Sequence, residues 1–178
     1  ALYEGGLSIR TTLDPDMQRK ARRALQNGLI RYDTLRGYRG PITSIEIADD
    51  WGVLLGEVRR LSDVPEWRVA VVLESSAEGI SVGLQPSRQA SGELVPERET
   101  AFVSKANMTW ALRHTRDGKR LKANSPAEVL NRGDVVYVEK AGEGEDAGWL
   151  LRQVPEVSGG LVAMDPHTGR VRAMVGGF

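Results

Sequence analysis

The residues with the clearest potential for covalent chemistry are a serine and two histidines. Gly79-Ile-Ser-Val-Gly83 fits the Gly-x-Ser-x-Gly pattern, in which a serine nucleophile sits on a sharp turn between a strand and a helix. Such a serine needs a basic partner, and only His114 and His167 are present to supply one. The residues after Ser81 predict a continuing strand rather than a turn and a helix. A serine on a hairpin strand is therefore the favoured interpretation, and a small serine hydrolase using Ser81 is the alternative.

Metal and cofactor chemistry finds little support in the sequence. His167 falls in a predicted hairpin loop and His114 precedes a predicted turn at residues 115–118. The paired carboxylates Asp49 and Asp50 fall in a predicted loop. The chain has no cysteine, so it offers neither a thiolate metal site nor a disulfide. Neither of the common glycine-rich phosphate loops is present. We therefore expect no catalytic residue, no cofactor-binding residue and no metal ligand in this chain.

The charge balance and hydropathy of the chain argue against some classes of binding partner. The 24 basic residues are balanced by 24 acidic ones, which gives no net field toward nucleic acid or anionic lipid, and no apolar run is long enough to span a bilayer. We therefore predict no nucleic-acid partner and no membrane contact by this chain. Four tryptophans could stack ligands, but they are scattered without interleaved basic residues, so packing is favoured: Trp51, Trp67, Trp110 and Trp149.

A helix is predicted from Pro15 to Arg31. Asp14 precedes it as a capping residue, and proline is well tolerated at the first helical position. Apolar residues recur at spacings of three and four and predict one buried stripe. The stripe contains Met17, Ala21, Leu25 and Leu29.

Strands are predicted for most of the remaining chain. Leu7–Thr12 is a strand-like run before the helix, and the last residues predict a hairpin, Leu161–Met164 and Val171–Val175, around the loop Asp165–Gly169. We expect Leu7–Thr12 to pair with this hairpin. The strongest strands between them are Trp67–Glu74, Ile80–Leu84, Glu99–Val103, Asp134–Lys140 and Gly148–Val154. Short strands at this spacing are typical of a small barrel or sandwich, and the fold class is α+β, mainly β.

Three stretches together resemble the class A penicillin-binding proteins, the bifunctional enzymes of bacterial cell-wall synthesis. Residues 11–33, beginning Thr-Thr-Leu-Asp-Pro-Asp-Met-Gln, resemble the linker from the glycosyltransferase domain into the transpeptidase domain. Residues 37–41, Gly-Tyr-Arg-Gly-Pro, resemble the start of an inserted domain with an oligonucleotide/oligosaccharide-binding (OB) type of fold. Residues 149–157 and the closing hairpin resemble the return from that insert. The resemblance spans essentially the whole chain.

The resemblance implies an OB-like β-barrel at residues 40–156. Residues 1–39 would be the linker strand and helix of the transpeptidase domain, and residues 157–178 its first hairpin. The family's acylated serine lies in Ser-x-x-Lys and a second motif is Ser-x-Asn, and the sequence contains neither. His167-Thr168-Gly169 resembles the family's Lys-Thr-Gly only superficially. We therefore expect the catalytic part, the transmembrane anchor and the glycosyltransferase glutamates to lie outside residues 1–178.

The implied role is that of a non-catalytic interaction or spacer domain in a peptidoglycan glycosyltransferase and DD-transpeptidase. The parent would act on the periplasmic side of the inner membrane. Its own two enzymatic domains would be the first partners, with a regulatory envelope lipoprotein or a glycan strand as further candidates. Exposed strand edges favour dimerisation of the isolated chain. Besides the hydrolase on Ser81, the alternative is a stand-alone OB module that binds an oligosaccharide or oligonucleotide.

Overall fold

A computed structural model describes residues 10–47, 50–116, 118–142, 144 and 147–178. Its helices are α1, Pro15–Arg36, and α2, Trp51–Gly56, with short 3₁₀ segments at Lys105–Leu112 and Pro126–Glu128. Its strands are β1 Thr43–Ser44, β2 Trp67–Ser75, β3 Gly79–Leu84, β4 Thr100–Ser104, β5 Arg113–Arg116, β6 Lys119–Lys122, β7 Asp134–Lys140, β8 Trp149–Arg152, β9 Gly160–Met164 and β10 Val171–Gly176.

The chain divides into two compact units. The central unit is Thr34–Val154, and the terminal unit combines the residues before Thr34 with Pro155–Phe178. The central unit is thus continuous in sequence, whereas the terminal unit is made from two separate segments of the chain.

An antiparallel sheet in the order β1-β7-β2-β3-β4 forms the central unit, and β8 also pairs with β7. The middle strands are buried on both faces, because the 3₁₀ segments pack on one face and α2 contacts the other. This explains the uninterrupted apolar run Val69–Val72, all of it buried. The predicted fold class, α+β and mainly β, is confirmed.

The barrel is not closed by hydrogen bonds among the described residues. The sheet curls until β8 approaches β4, but no ladder joins these two strands. A second, separate sheet, the hairpin β5–β6, also belongs to the central unit. This hairpin was not predicted: only a turn at residues 115–118 was expected there.

In the terminal unit, α1 packs on the hairpin β9–β10. The Asp14 carboxylate accepts hydrogen bonds from the backbone N–H of Asp16 and Met17, at 2.9 and 3.1 Å, which confirms the predicted cap. The Gln18 side chain donates to the carbonyl of Met174 and accepts from its N–H, at 2.9 and 3.0 Å. These paired bonds fix the register of the helix on the hairpin.

Two details of the predicted helix are wrong. Met17 is 45% exposed, because Gln18 and Ala21 occupy the face toward the hairpin instead. The helix also continues beyond Arg31 to Arg36, because the residue that stops it is Gly37, whose φ of +91° suits a helix C-terminus. The predicted strand Leu7–Thr12 lies mostly outside the described residues. Within them, the Thr12 hydroxyl donates to the carbonyl of Val171 at 2.6 Å.

Candidate functional site

Ser81 does not lie on a nucleophile elbow. It occupies the middle of β3, half-buried, opposite Glu74 of β2 and Phe102 of β4. An elbow requires a sharp turn into a helix directly after the serine, whereas here the strand continues to Leu84. The geometry therefore gives no support to a hydrolase built on Ser81.

The two histidines lie in different units and different environments. His167 is exposed in the loop between β9 and β10, where its backbone N–H, not its imidazole, donates to the Asp165 carboxylate at 2.9 Å. The backbone hydrogen bond from Thr168, and after it the one from His167, lowers the pKa of Asp165. His114 is a buried residue of β5 in the central unit, only 9% exposed. Among the described residues, no group of three or more histidines and carboxylates could hold a metal.

All four tryptophans belong to the central unit and none is fully exposed. Trp110 meets the ring of Tyr38 edge to face, with centroids 5.8 Å apart, and Trp67 packs on Tyr137 at 5.9 Å. The Arg68 guanidinium lies 6.0 Å from the centre of the Trp149 ring. Their surroundings agree with packing roles, as the sequence favoured. Tryptophan fluorescence of this chain accordingly reports on the central unit.

A polar pocket of about 370 Å³ lies in the central unit. It is lined by Tyr38–Pro41, by His114 and Thr115 of β5, and by Val129, Asn131 and Asp134. Tyr38 is held beside β5, since its N–H donates to the Arg113 carbonyl at 2.7 Å and its carbonyl accepts from Thr115 at 2.8 Å. Tyr38 thus forms a single parallel bridge with His114 at the edge of the two-stranded β5–β6 sheet.

The carboxylate of Asp134 is fixed within this pocket. It accepts hydrogen bonds from the Ser44 hydroxyl and from the Asn131 N–H, both at 2.8 Å, and Asp134 is only 7% exposed. Burial raises the pKa of Tyr38, and the nearby charge of Asp134 raises it further. Tyr38 is therefore a neutral phenol in the folded protein.

The two ends of the central unit are hydrogen-bonded to each other. We call Gly37, Arg39, Gln153 and Val154 the neck. The Gln153 side chain accepts from the Arg39 N–H at 2.7 Å and donates to the Gly37 carbonyl at 3.2 Å. The Arg39 guanidinium donates to the Val154 carbonyl at 2.7 Å. The chain therefore leaves the central unit at the point where it begins.

Replacing Gln153 by alanine should destabilise the central unit by about 1–3 kcal/mol, because two partly buried backbone groups lose a partner. Urea unfolding followed by tryptophan fluorescence measures this change. The matched control is Gln89→Ala on the exposed surface, with an expected effect within about 0.5 kcal/mol. Equal midpoints for the two variants would show that the two Gln153 hydrogen bonds contribute nothing to stability.

An exposed apolar face is present in the terminal unit. Val162 and Met164 of β9 and Met174 of β10 are each more than half exposed, and Met174 lies opposite Val162 in the hairpin. The other face of the same hairpin carries Ala173, which is fully buried. A two-stranded sheet with one uncovered apolar face is typical of an element that needs further partners.

Comparison with known proteins identifies the family to which the central unit corresponds. A family model described as the penicillin-binding protein OB-like domain matches residues 38–157. The chain belongs to this family. The resemblance to class A penicillin-binding proteins is thereby confirmed, and the matched OB-like domain contains every residue that lines the pocket.

Relatives of the OB-like domain extend the match to nearly the whole chain. Penicillin-binding protein 1A of Rickettsia typhi is 35% identical over 176 residues, which are 99% of this chain and 19% of the relative. The protein of the same name from Escherichia coli K12 is 28% identical over 181 residues, again 99% of this chain, and 20% of the relative. The chain therefore spans about a fifth of the length of these relatives.

A solved structure shows the same fold. The crystal structure of penicillin-binding protein 1A from Haemophilus influenzae matches 94% of this chain and 21% of its own, with a TM-score of 0.66 and 27% identity. In the described part of our chain, no helix is both long enough and apolar enough to cross a membrane.

The residues of the pocket and neck were not recognised from sequence as parts of a site. Tyr38 was noted only as part of the segment that begins the insert, and Asp134 only as part of a glycine turn feeding a strand. No motif or spacing in the sequence marked Gln153 as structurally important. The sequence offered one indication, the two glycines Gly37 and Gly40 on either side of Tyr38. Two glycines so close together indicate a turn or loop in which the backbone adopts conformations that other residues rarely adopt.

Proposed function

We propose that the OB-like domain is a non-catalytic interaction domain within a bifunctional peptidoglycan synthase. The parent would combine glycosyltransferase and DD-transpeptidase activities on the periplasmic side of the inner membrane, as the resemblance to class A penicillin-binding proteins implies. The neck is the observation that carries this proposal. A unit whose two ends are bonded together can be inserted into a host domain without separating the parts of that domain on either side, which supports the proposal.

The neck also favours one kind of role over another. A spacer domain separates its neighbours by the distance between its own two ends. Here the two ends are hydrogen-bonded to each other, so the domain would add little separation. The OB-like domain would therefore influence the enzymatic domains through its surface, by touching them or a regulatory partner. An envelope lipoprotein is a candidate for that partner.

The terminal unit fits the remaining part of the proposal. Its uncovered apolar face, Val162, Met164 and Met174, would pack against the rest of the transpeptidase domain in the parent. Burying this face would stabilise the hairpin, which is marginal when it stands alone. The same face would favour self-association of the isolated chain.

The test is a domain replacement in the full-length protein that carries this chain. Residues 40–153 are replaced by a short Gly-Ser loop, which the closeness of Arg39 to Val154 permits. We expect the variant to be acylated by a fluorescent penicillin as the unaltered protein is, and to lose its response to regulatory partners. The isolated 178-residue chain should not be labelled.

Two results would contradict the proposal. One is covalent labelling of the isolated chain, which would place a reactive nucleophile within it. The other is a replacement variant that folds, as judged by its thermal unfolding, but is no longer acylated. That result would make the OB-like domain a part of the catalytic machinery.

A further inference from the structure

We propose that the hairpin β5–β6 of the OB-like domain binds an extended polymer that carries carboxylates, the chemistry of an uncross-linked peptidoglycan strand with its stem peptides. The binding surface is one face of the hairpin, which we call the cationic face. It is formed by Arg113 and Thr115 of β5 and by Arg120 and Lys122 of β6. The inference gives the domain a partner, and it rests on the proposed function for the choice of polymer.

Positive charge is concentrated in this hairpin, although the chain as a whole is neutral. Residues 113–122 contain five basic residues and one acidic residue, Asp117, whereas the whole chain has 24 of each. Every residue of β6 is exposed. Within the described part of the chain, no ion pair is formed by the exposed cations of the hairpin, Arg113, Lys119, Arg120 and Lys122. The hairpin therefore presents uncompensated positive charge to the solvent.

The strand register places like charges directly opposite each other. Arg113 pairs with Lys122 at the end of the hairpin that joins the rest of the central unit. Arg116 pairs with Lys119 beside the turn, so two of the four residue pairs are cation–cation pairs. Like charges directly opposite each other destabilise an antiparallel pair, and departures of this kind from local rules are expected at functional sites. A bound anion would replace the repulsion between these strands by attraction to both.

The backbone that carries the cationic face is ordered before any partner binds. On the opposite face of β5, His114 is buried in the central unit. Tyr38 bonds to β5 through both of its backbone groups, and the N–H of Ala123, directly after β6, donates to the Leu112 carbonyl at 2.7 Å. Binding to a backbone that is already ordered costs less conformational entropy than binding to a flexible segment.

The composition of the cationic face favours a polymer over a membrane or a folded protein. Its four residues are three cations and a threonine, so none of them is apolar. The exposed Leu121 lies on the opposite side of β6, because successive side chains of a strand alternate. Stable membrane attachment needs an inserted apolar group besides the cations, and a protein interface needs buried anchors at its centre. An extended polymer needs only charges, and carboxylates form charge-assisted hydrogen bonds with arginine and lysine.

Binding is measured by sedimentation of the 178-residue chain with purified bacterial peptidoglycan. Parallel samples contain the same peptidoglycan after conversion of its carboxylates to amides, or phosphatidylglycerol vesicles. We expect saturable binding to untreated peptidoglycan that weakens as the NaCl concentration rises, because salt screens the attraction. The amidated form and the vesicles should bind at least about tenfold more weakly. Equal binding to both forms of peptidoglycan, vesicle binding as tight as peptidoglycan binding, or no binding at all would overturn the inference.

The double variant Arg120→Gln/Lys122→Gln tests whether the cationic face is the site. It removes two of the three cations of that face and should weaken peptidoglycan binding at least about tenfold. The matched control is Arg59→Gln/Arg60→Gln, which removes the same charge from two exposed residues after α2. The control should bind like the unaltered chain. Equal losses in the two double variants would mean that net charge, and not the hairpin, drives binding, and the inference would fail.

Lys122→Glu separates a binding role from a structural one. The substitution places a carboxylate opposite Arg113 and so replaces repulsion by attraction within the strand pair. We expect a higher urea midpoint together with peptidoglycan binding at least about tenfold weaker. A lower midpoint with unchanged binding would show that the lysine serves the fold, which would overturn the inference. Sedimentation uses the isolated chain, whereas the domain replacement measures acylation of the full-length protein, so either experiment can fail without the other.

Discussion

Gly37→Ala should destabilise the central unit by about 2–4 kcal/mol. Gly37 has a φ of +91°, which residues with a side chain adopt only under strain, and an added Cβ would lie 2.5 Å from the Arg113 carbonyl oxygen. That oxygen accepts the hydrogen bond from Tyr38. The substitution should therefore move the Tyr38 segment away from β5, and the effect is measured as the shift in urea midpoint by tryptophan fluorescence.

Gly40→Ala separates backbone strain from the steric clash. Gly40 also has a positive φ, +127°, but an added Cβ would have no atom within 4 Å. Its replacement should cost only the conformational penalty, about 1–2 kcal/mol. If Gly37→Ala proved no worse than Gly40→Ala, the close approach between residue 37 and β5 would be refuted.

Leu130→Ala should cost about 2–5 kcal/mol of unfolding free energy, because the side chain is fully buried and its removal leaves a cavity. Leu130 follows the 3₁₀ segment Pro126–Glu128 and belongs to the apolar cluster that also contains Ile80 and Val136. The loss should appear as a lower urea midpoint with an unchanged slope.

Leu121→Ala is the same substitution on the surface. Leu121 lies on β6 and is 45% exposed, so its truncation should change the unfolding free energy by no more than about 0.5 kcal/mol. If the two substitutions lowered the unfolding free energy equally, Leu130 would not be part of the hydrophobic core of this unit.

The larger strands were predictable because their residues follow simple rules. The run 134–140 was predicted as a strand and is β7, with five buried residues in succession. Trp67–Ser75 is β2, rich in β-branched residues and buried on both faces. The start of α1 was equally clear, since Asp14 and Pro15 are a cap and a first-turn residue. Each of these patterns involves only residues that are close together in the sequence, so it can be recognised without knowledge of the fold.

The hairpin β5–β6 and the pocket were not predictable in this way. Residues 119–122 of β6 are exposed on both faces, so no apolar alternation marks them as a strand. Their partner strand β5 is supported by Tyr38, some 75 residues earlier in the chain. The pocket likewise combines segments near residues 40, 115 and 131. No pattern within one of these segments predicts that it lies next to the other two.

The neck has a mechanical consequence for any protein that contains this domain. Tension applied along the flanking chain reaches Arg39 and Val154 first, and the hydrogen bonds between the two ends share that load. The strands of the OB-like sheet lie beyond this junction and carry no force until it separates. When the flanking chain is pulled, the surface and pocket of this domain should therefore stay folded until the neck separates.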